Sequence, residues 1–300
     1  MAYVVASTAV CDLLRDAPRP ARVVAALPAA VYLEVPGRAG PVGRPRGPVG
    51  SAAGCAPRWV ALLARDAVRV PVGLVTAVPR ARRPFAAVTP GAHATIGDGS
   101  LELEISGVLH VYRPLRYWDP AVPRLGAALA TAPVARRAEA LALLATGLPP
   151  DDVRAWADRA VPLEAALAPA APDAGRVAAA VAALVGLGPG LTPAGDDVVA
   201  GALVTLAAAA DEPRRRVLAD AVLAVLPRTT PVSAALLDQA CRGRTVPQVA
   251  DVLRALAGSG DLDAALARLA RVGHTSGPAL ALGMRAALRA RAARPLGRCA

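Results

Sequence analysis

Near Trp118 the residue pattern of this chain changes, and the change limits what each part can fold into. Up to about Trp118, short β-branched runs are broken by Pro and Gly. The segments Ala30 to Val35, Val68 to Val78 and Leu101 to Tyr112 read as strands. In the stretch Ala92 to Tyr112, Gly97, Asp98 and Gly99 lie between alternating runs, the pattern of a hairpin. Leu101, Leu103 and Ile105 share one face there, and Glu102, Glu104 and Ser106 the other, which predicts a half-buried antiparallel sheet. Pro36 to Pro57 has no period and reads as a loop. From about Asp119 the chain turns to Ala- and Leu-rich segments with helical spacing. Helices are predicted over Arg136 to Thr146, Asp151 to Leu167, Arg176 to Leu187, Pro193 to Ala210, Pro213 to Leu226, Pro231 to Cys241, Val246 to Ala257, Asp261 to Val272 and Pro278 to Ala292. The expected fold class is α+β, with a β-rich N-terminal domain over residues 1–118 followed by an α-helical domain over 119–300.

Composition narrows the function classes. Hydrophobic residues make up 55% of the chain and charged residues 19%, which fits a packed core and not a disordered chain. The longest uncharged run, Val177 to Gly195, ends in GLGPGLTPAG and cannot continue a lipid-facing helix, so no membrane span is expected. The segment MAYVVASTAVCDLL has no basic leader and meets Asp12, a poor secretory signal, and a cytoplasmic location is expected. Cys11, Cys55, Cys241 and Cys299 are far apart and read as isolated thiols. A net charge of +11 invites nucleic acid, but all 34 basic residues are Arg, a mark of codon bias, and aromatics are only 3%. Little is left for base stacking, and nucleic acid is not the expected partner. Arg80, Arg82, Arg83 and Arg214 to Arg216 read as solvated surface, and Arg285 to Arg298 as a basic helix end.

The chemistry concentrates in three helix entrances of similar design. In GLGPGLTPAGDDVVAG, Gly186 to Gly201, Thr192 is placed as an N-cap and Pro193 as the first helical residue. Gly186, Gly188 and Gly190 permit positive φ and close approach to a ligand, and the helix start offers unpaired N–H groups to an anion. Neither a Walker loop nor a dinucleotide fingerprint is present. Asp196 and Asp197 fall in the first turn, where carboxylates suit the helix dipole. Helix capping alone is one reading of them; the reading favoured by their place beside the glycine loop is that one of them is a general base, an acceptor for a substrate amide or ammonium group, or the ligand of a divalent metal. A bare phosphate beside two carboxylates would be repelled.

The second entrance, RTTPVS, sets Arg228, Thr229 and Thr230 before Pro231, with Ser233 one turn in; Arg228 suits a carboxylate or phosphate, or else a surface salt bridge. The third, GHTSGP, places His274, Thr275 and Ser276 before Pro278. His274 is a proton carrier or simply a hydrogen-bonded histidine at a helix entrance. If the three converge, they form one pocket. The candidate catalytic residues are Asp196, Asp197 and His274, and the candidate substrate-binding residues Gly188, Gly190, Thr192, Arg228, Thr229, Thr230, Ser233, Thr275 and Ser276. A triad of Ser276, His274 and Asp197 is disfavoured, because Ser and His two residues apart rarely aim at each other. His93 and His110 lie in the β half and read as structural.

GLGPGLTPAGDD, then RTTPVS followed by LLDQACRG, then GHTSG, together resemble a bacterial family that includes the AllH-type subunit of oxamate carbamoyltransferase, encoded with allantoin-degradation genes. The resemblance is strongest over the C-terminal half and looser before it, ending in a similar Trp118-Asp119-Pro120 element. It implies a role in nitrogen metabolism, in a complex that exchanges a carbamoyl group between oxamate and phosphate, with a small anionic metabolite and other enzyme subunits as partners. Relatives usually carry an aspartate two residues after the glycine of GHTSG, where this chain has Ala279. The competing reading is a non-catalytic small-anion-binding or regulatory subunit that docks on a synthetase-like partner.

Overall fold

The structure, a computed structural model, describes residues 1–37, 58–145, 148 and 150–292. All but the first two residues of the loop expected over Pro36 to Pro57 fall outside these, as do Cys55, Cys299 and the end of the basic stretch to Arg298. The described chain divides into two compact units, Met1–Pro120 and Ala121–Ala300.

In the first unit the strands are β1 (Ala2–Ser7), β2 (Arg19–Leu27), β3 (Ala30–Val35), β4 (Arg58–Leu63), β5 (Gly73–Val75), β6 (His93–Gly97), β7 (Ser100–Ile105) and β8 (Val108–Trp118), and a short helix α1 (Cys11–Arg15) follows β1. They close into a barrel in the order β1-β5-β4-β3-β2-β6-β7-β8. Two hairpins are set by local chemistry. Asp98 and Gly99 (φ 45° and 77°) join β6 to β7, and Ser106 and Gly107 (φ 52° and 78°) join β7 to β8. Paired positive φ values give the turn twist that two-residue hairpins require. The predicted faces are present: Leu101, Leu103 and Ile105 are buried, while Glu104 and Ser106 are exposed.

The expected architecture needs correction. The N-terminal region is not a half-buried antiparallel sheet but a closed eight-stranded barrel, with a helix of its own, so a simple succession of β-rich and α-helical domains fits only loosely. Closure depends on two parallel pairings, β4 with β5 and β1 with β8. The second joins Ala2 to Tyr112 and Ser7 to Trp118, across the whole length of the unit. No local alternation reports such a contact. It also removes the sheet edges that an open sheet would expose.

The second unit contains α2 (Ala132–Ala138), a 3₁₀ turn over Glu139–Ala145, α3 (Pro150–Leu167), α4 (Ala174–Leu184), α5 (Ala194–Ala208), α6 (Glu212–Val225), α7 (Pro231–Cys241), α8 (Pro247–Leu256), α9 (Leu262–Leu269) and α10 (Ser276–Ala292). Helix α5 is buried on nearly all sides, from Ala194 through Ala208, and α10 is almost as enclosed. Helices apolar all round occupy the centre of a helical unit, with amphipathic ones outside. The two central helices touch backbone to backbone. A Cβ on Gly201 would lie 2.1 Å from the Leu280 carbonyl oxygen, and one on Gly283 would lie 1.8 Å from that of Val198. Only hydrogen fits at either place.

Arg214 is a second correction. It was expected on the surface, yet it is 2% exposed. Its guanidinium donates to the Leu167 and Ala168 carbonyls at the end of α3, at 2.6 and 2.9 Å, and to Asp211 at 2.9 Å. The planar fork thus caps one helix while a carboxylate balances its charge, which is what a buried guanidinium requires. Arg80, Arg82, Arg83 and Arg216 are exposed, as expected. Cys11 and Cys241 are free thiols, and burial pushes the Cys241 thiol up to about 12, which leaves it protonated and unreactive.

Candidate functional site

The glycine loop is built as its composition requires. Gly186, Gly188 and Gly190 all have positive φ, at 83°, 112° and 93°. At Gly186 the reason is also steric: a Cβ would lie 2.7 Å from the Arg228 carbonyl oxygen, so the loop backbone lies directly against the residue that opens RTTPVS. Gly188 and Gly190 are exposed, and nothing approaches the place of a Cβ on Gly190.

Thr192 is not the N-cap of α5. That position falls to Pro193, and the helix starts at Ala194 with no side-chain cap. The Thr192 hydroxyl instead meets the Ser276 hydroxyl, 3.3 Å away. The amides of the first turn are largely occupied: Gly195 donates to the Leu187 carbonyl, and Asp196 and Asp197 to that of Pro193. With those donors taken, this helix start is a poorer anion cradle than its sequence suggests.

Asp196 ties two of the entrances together. It is 1% exposed. Its Oδ1 accepts from the Gly186 amide at 2.7 Å, and its Oδ2 from the Ser233 hydroxyl at 2.6 Å and from the Thr229 hydroxyl. A buried carboxyl group held by three donors has little capacity left for a ligand. Thr230 secures the same junction. It caps α7 by accepting from the Ser233 amide at 3.1 Å and donates to the Leu191 carbonyl at 2.5 Å.

Asp197, one residue further and about 100° around the helix, has a different environment. Its Oδ2 is buried and has no hydrogen-bond partner among the described residues. Burial raises its pKa from 3.8 to about 7; the Ser276 hydroxyl acts against this rise, and the charge of Asp196 adds to it. Neighbouring carboxyl groups with such different surroundings are a known basis for distinct chemical roles.

The three entrances are thus brought together through Asp196 with Thr229 and Ser233, Thr230 with Leu191, and Thr192 with Ser276. Other predicted residues lie outside this hydrogen-bonded cluster. His274 and Arg228 are exposed, and the side chain of neither has a hydrogen bond or ion pair among the described residues; Thr275 is half-buried with its hydroxyl likewise unbonded there. The salt bridge considered for Arg228 and the hydrogen-bonded reading of His274 are both absent from the described residues. Ala279 is fully buried in the first turns of α10.

As to metals, no group of three or more His, Cys, Asp or Glu side chains among the described residues is placed to hold an ion. Both Asp196 oxygens are occupied, so the acid pair offers a divalent cation the free oxygen of Asp197 alone, short of the several oxygen ligands such ions take. The residues present do not fit a divalent metal. Sequence reasoning missed the Leu191 carbonyl, which no side-chain pattern marks, and the crossing glycines Gly201 and Gly283. Glycine inside a helical pattern is itself a sign of tight packing.

No helix among the described residues is long and apolar enough to cross a membrane. Comparison with curated proteins and with solved structures gives no match. Residues 184–288, the stretch that holds all three entrances, match the family model of oxamate carbamoyltransferase subunit AllH, the family that the motifs resemble.

Proposed function

We propose that this chain is the AllH-type subunit of a carbamoyl-transfer enzyme that handles a small anion of the oxamate or carbamoyl phosphate class. The observation that carries the reading is that the family match spans 184–288 and contains every residue of the hydrogen-bonded cluster. In the transfer, the substrate amide nitrogen bonds to the carbamoyl carbon, the bond from that carbon to the phosphate oxygen breaks, and the amide proton passes to a base. Arg228, exposed and without a partner among the described residues, binds the carboxylate or phosphate, and the Gly188 and Gly190 backbone approaches it closely. The Thr192 and Ser276 hydroxyls orient the substrate, and His274 carries the proton. Calorimetric titration of the full chain with oxamate and with carbamoyl phosphate tests this. Binding is expected for at least one, with a loss of about tenfold or more in Arg228→Ala; no binding, or unchanged binding in that variant, overturns it.

The second reading, a non-catalytic binding or regulatory subunit docking on a synthetase-like partner, draws on the exposure of His274 and Arg228. Side chains left on the surface suit a site that a partner subunit completes. His274→Ala separates the two: lost transfer in the assembled enzyme with unchanged anion binding favours the catalytic subunit, and unchanged transfer the binding one.

A further inference from the structure

We propose that the ligand of this site enters with an uncharged N–H donor, a primary amide, facing Asp197, and with its anionic end directed away from the acid pair. The inference rests on the reading above and fixes how such a ligand would be oriented.

Three observations carry it. First, the two carboxylates are not equivalent. Asp196 has its oxygens filled by Gly186, Thr229 and Ser233, whereas Asp197 Oδ2 is buried and accepts nothing among the described residues. Folded proteins leave few buried polar atoms without a partner, and each needs an explanation, such as a ligand. Second, a carboxylate oxygen accepts and does not donate, and a second carboxylate stands at the next residue. A phosphate or carboxylate group pressed against this pair would be repelled, whereas an amide N–H would satisfy the open oxygen. Third, the first-turn amides of α5 that would stabilise an anion here are already bonded to Leu187 and Pro193. The hydroxyls of Thr192 and Ser276, in contact with each other, can accept the second N–H of an amide or donate to its carbonyl.

The discriminating pair of probes is oxamate and oxalate, which differ in one end, amide against carboxylate. The full chain is titrated with each above about pH 8, where Asp197 is ionised, together with acetamide, an uncharged primary amide without an anionic end. Wild type is expected to prefer oxamate over oxalate by at least about tenfold. Asp197→Asn should collapse that ratio toward unity, because its own amide now donates to the oxalate carboxylate. A wild-type protein labelled with ¹³C at aspartate gives a readout that needs no variant, since oxamate should shift the Asp197 carboxyl resonance and leave that of Asp196 nearly unmoved. An unchanged ratio in Asp197→Asn, or an unmoved Asp197 resonance on saturation with oxamate, overturns the inference while the proposed function stands. Acetamide bound through Asp197 with no binding of oxamate or carbamoyl phosphate upholds the inference and removes the proposed function. No binding of any probe overturns both.

Discussion

Residue by residue, the glycine loop was the most legible part of the site. Its glycines announced positive φ, and Gly186 has both that angle and a carbonyl where a Cβ would be. Gly186→Ala should therefore cost about 1–3 kcal/mol of stability from backbone strain and weaken oxamate binding, both read by chemical denaturation and titration. What the sequence could not divide was Asp196 from Asp197, since neighbours of one type look alike until their partners are known. Thr192 shows the same limit: its position suits a cap, but a hydroxyl on another helix entrance claims it. The difference between the acids has a consequence for pH. Well below 3.8, Asp197 is protonated in both folded and unfolded chains and adds nothing. Between 3.8 and about 7 the unfolded chain releases this proton while the folded chain keeps it, so stability falls as pH rises, and the full penalty applies above about 7. At about 1.4 kcal/mol per pH unit the penalty is roughly 4 kcal/mol. Asp197→Asn should exceed wild type in denaturant midpoint at pH 8, and the gain should shrink steadily toward pH 4. An equal gain at both pH values would place the effect elsewhere.

At the level of elements, the helices were recovered to within a few residues, and α7 matches its expected span of Pro231 to Cys241. The departures have physical causes. The helix expected over Arg136 to Thr146 is α2 followed by a 3₁₀ turn, and α10 begins at Ser276, before the proline that marked its expected start. Proline in a first turn loses no hydrogen bond, so it marks a neighbourhood and not a boundary. The sequence showed apolar periodicity but not which helices meet, and here the meeting is decided by glycine. Because the N-termini of α5 and α10 carry Asp197 and Ser276, the close crossing at Gly201 and Gly283 also sets how near those two side chains come. Gly283→Ala must push the helices apart, since its Cβ would lie 1.8 Å from the Val198 carbonyl. Overpacking of this kind costs about 1–3 kcal/mol or more. The expected result is a lower thermal midpoint together with weaker oxamate binding. A destabilised variant with wild-type affinity would show that the crossing supports the fold without governing the site.

For the molecule as a whole, the legible and illegible parts divide by the sequence separation of their contacts. Hairpins such as β6–β7 and the helices come from neighbours in sequence, and their signals are local. Closure of the barrel comes from β1 meeting β8, and assembly of the site from Gly186 meeting Thr229, Ser233 and Ser276 through the acid pair. Contacts of that kind leave no periodic trace. The placement of the site residues has a further consequence, because all of them fall between Gly186 and Ser276, within the unit Ala121–Ala300. That unit has a core of its own around α5 and α10, large enough for independent folding of a segment of this length. Residues 121–300 expressed alone should therefore unfold cooperatively with a helical spectrum and should bind oxamate within about threefold of the full chain. Retained affinity would confine ligand recognition to the helical unit and leave the barrel free for another task, such as contact with a partner subunit. A folded fragment that has lost binding would instead require the barrel to contribute to the site.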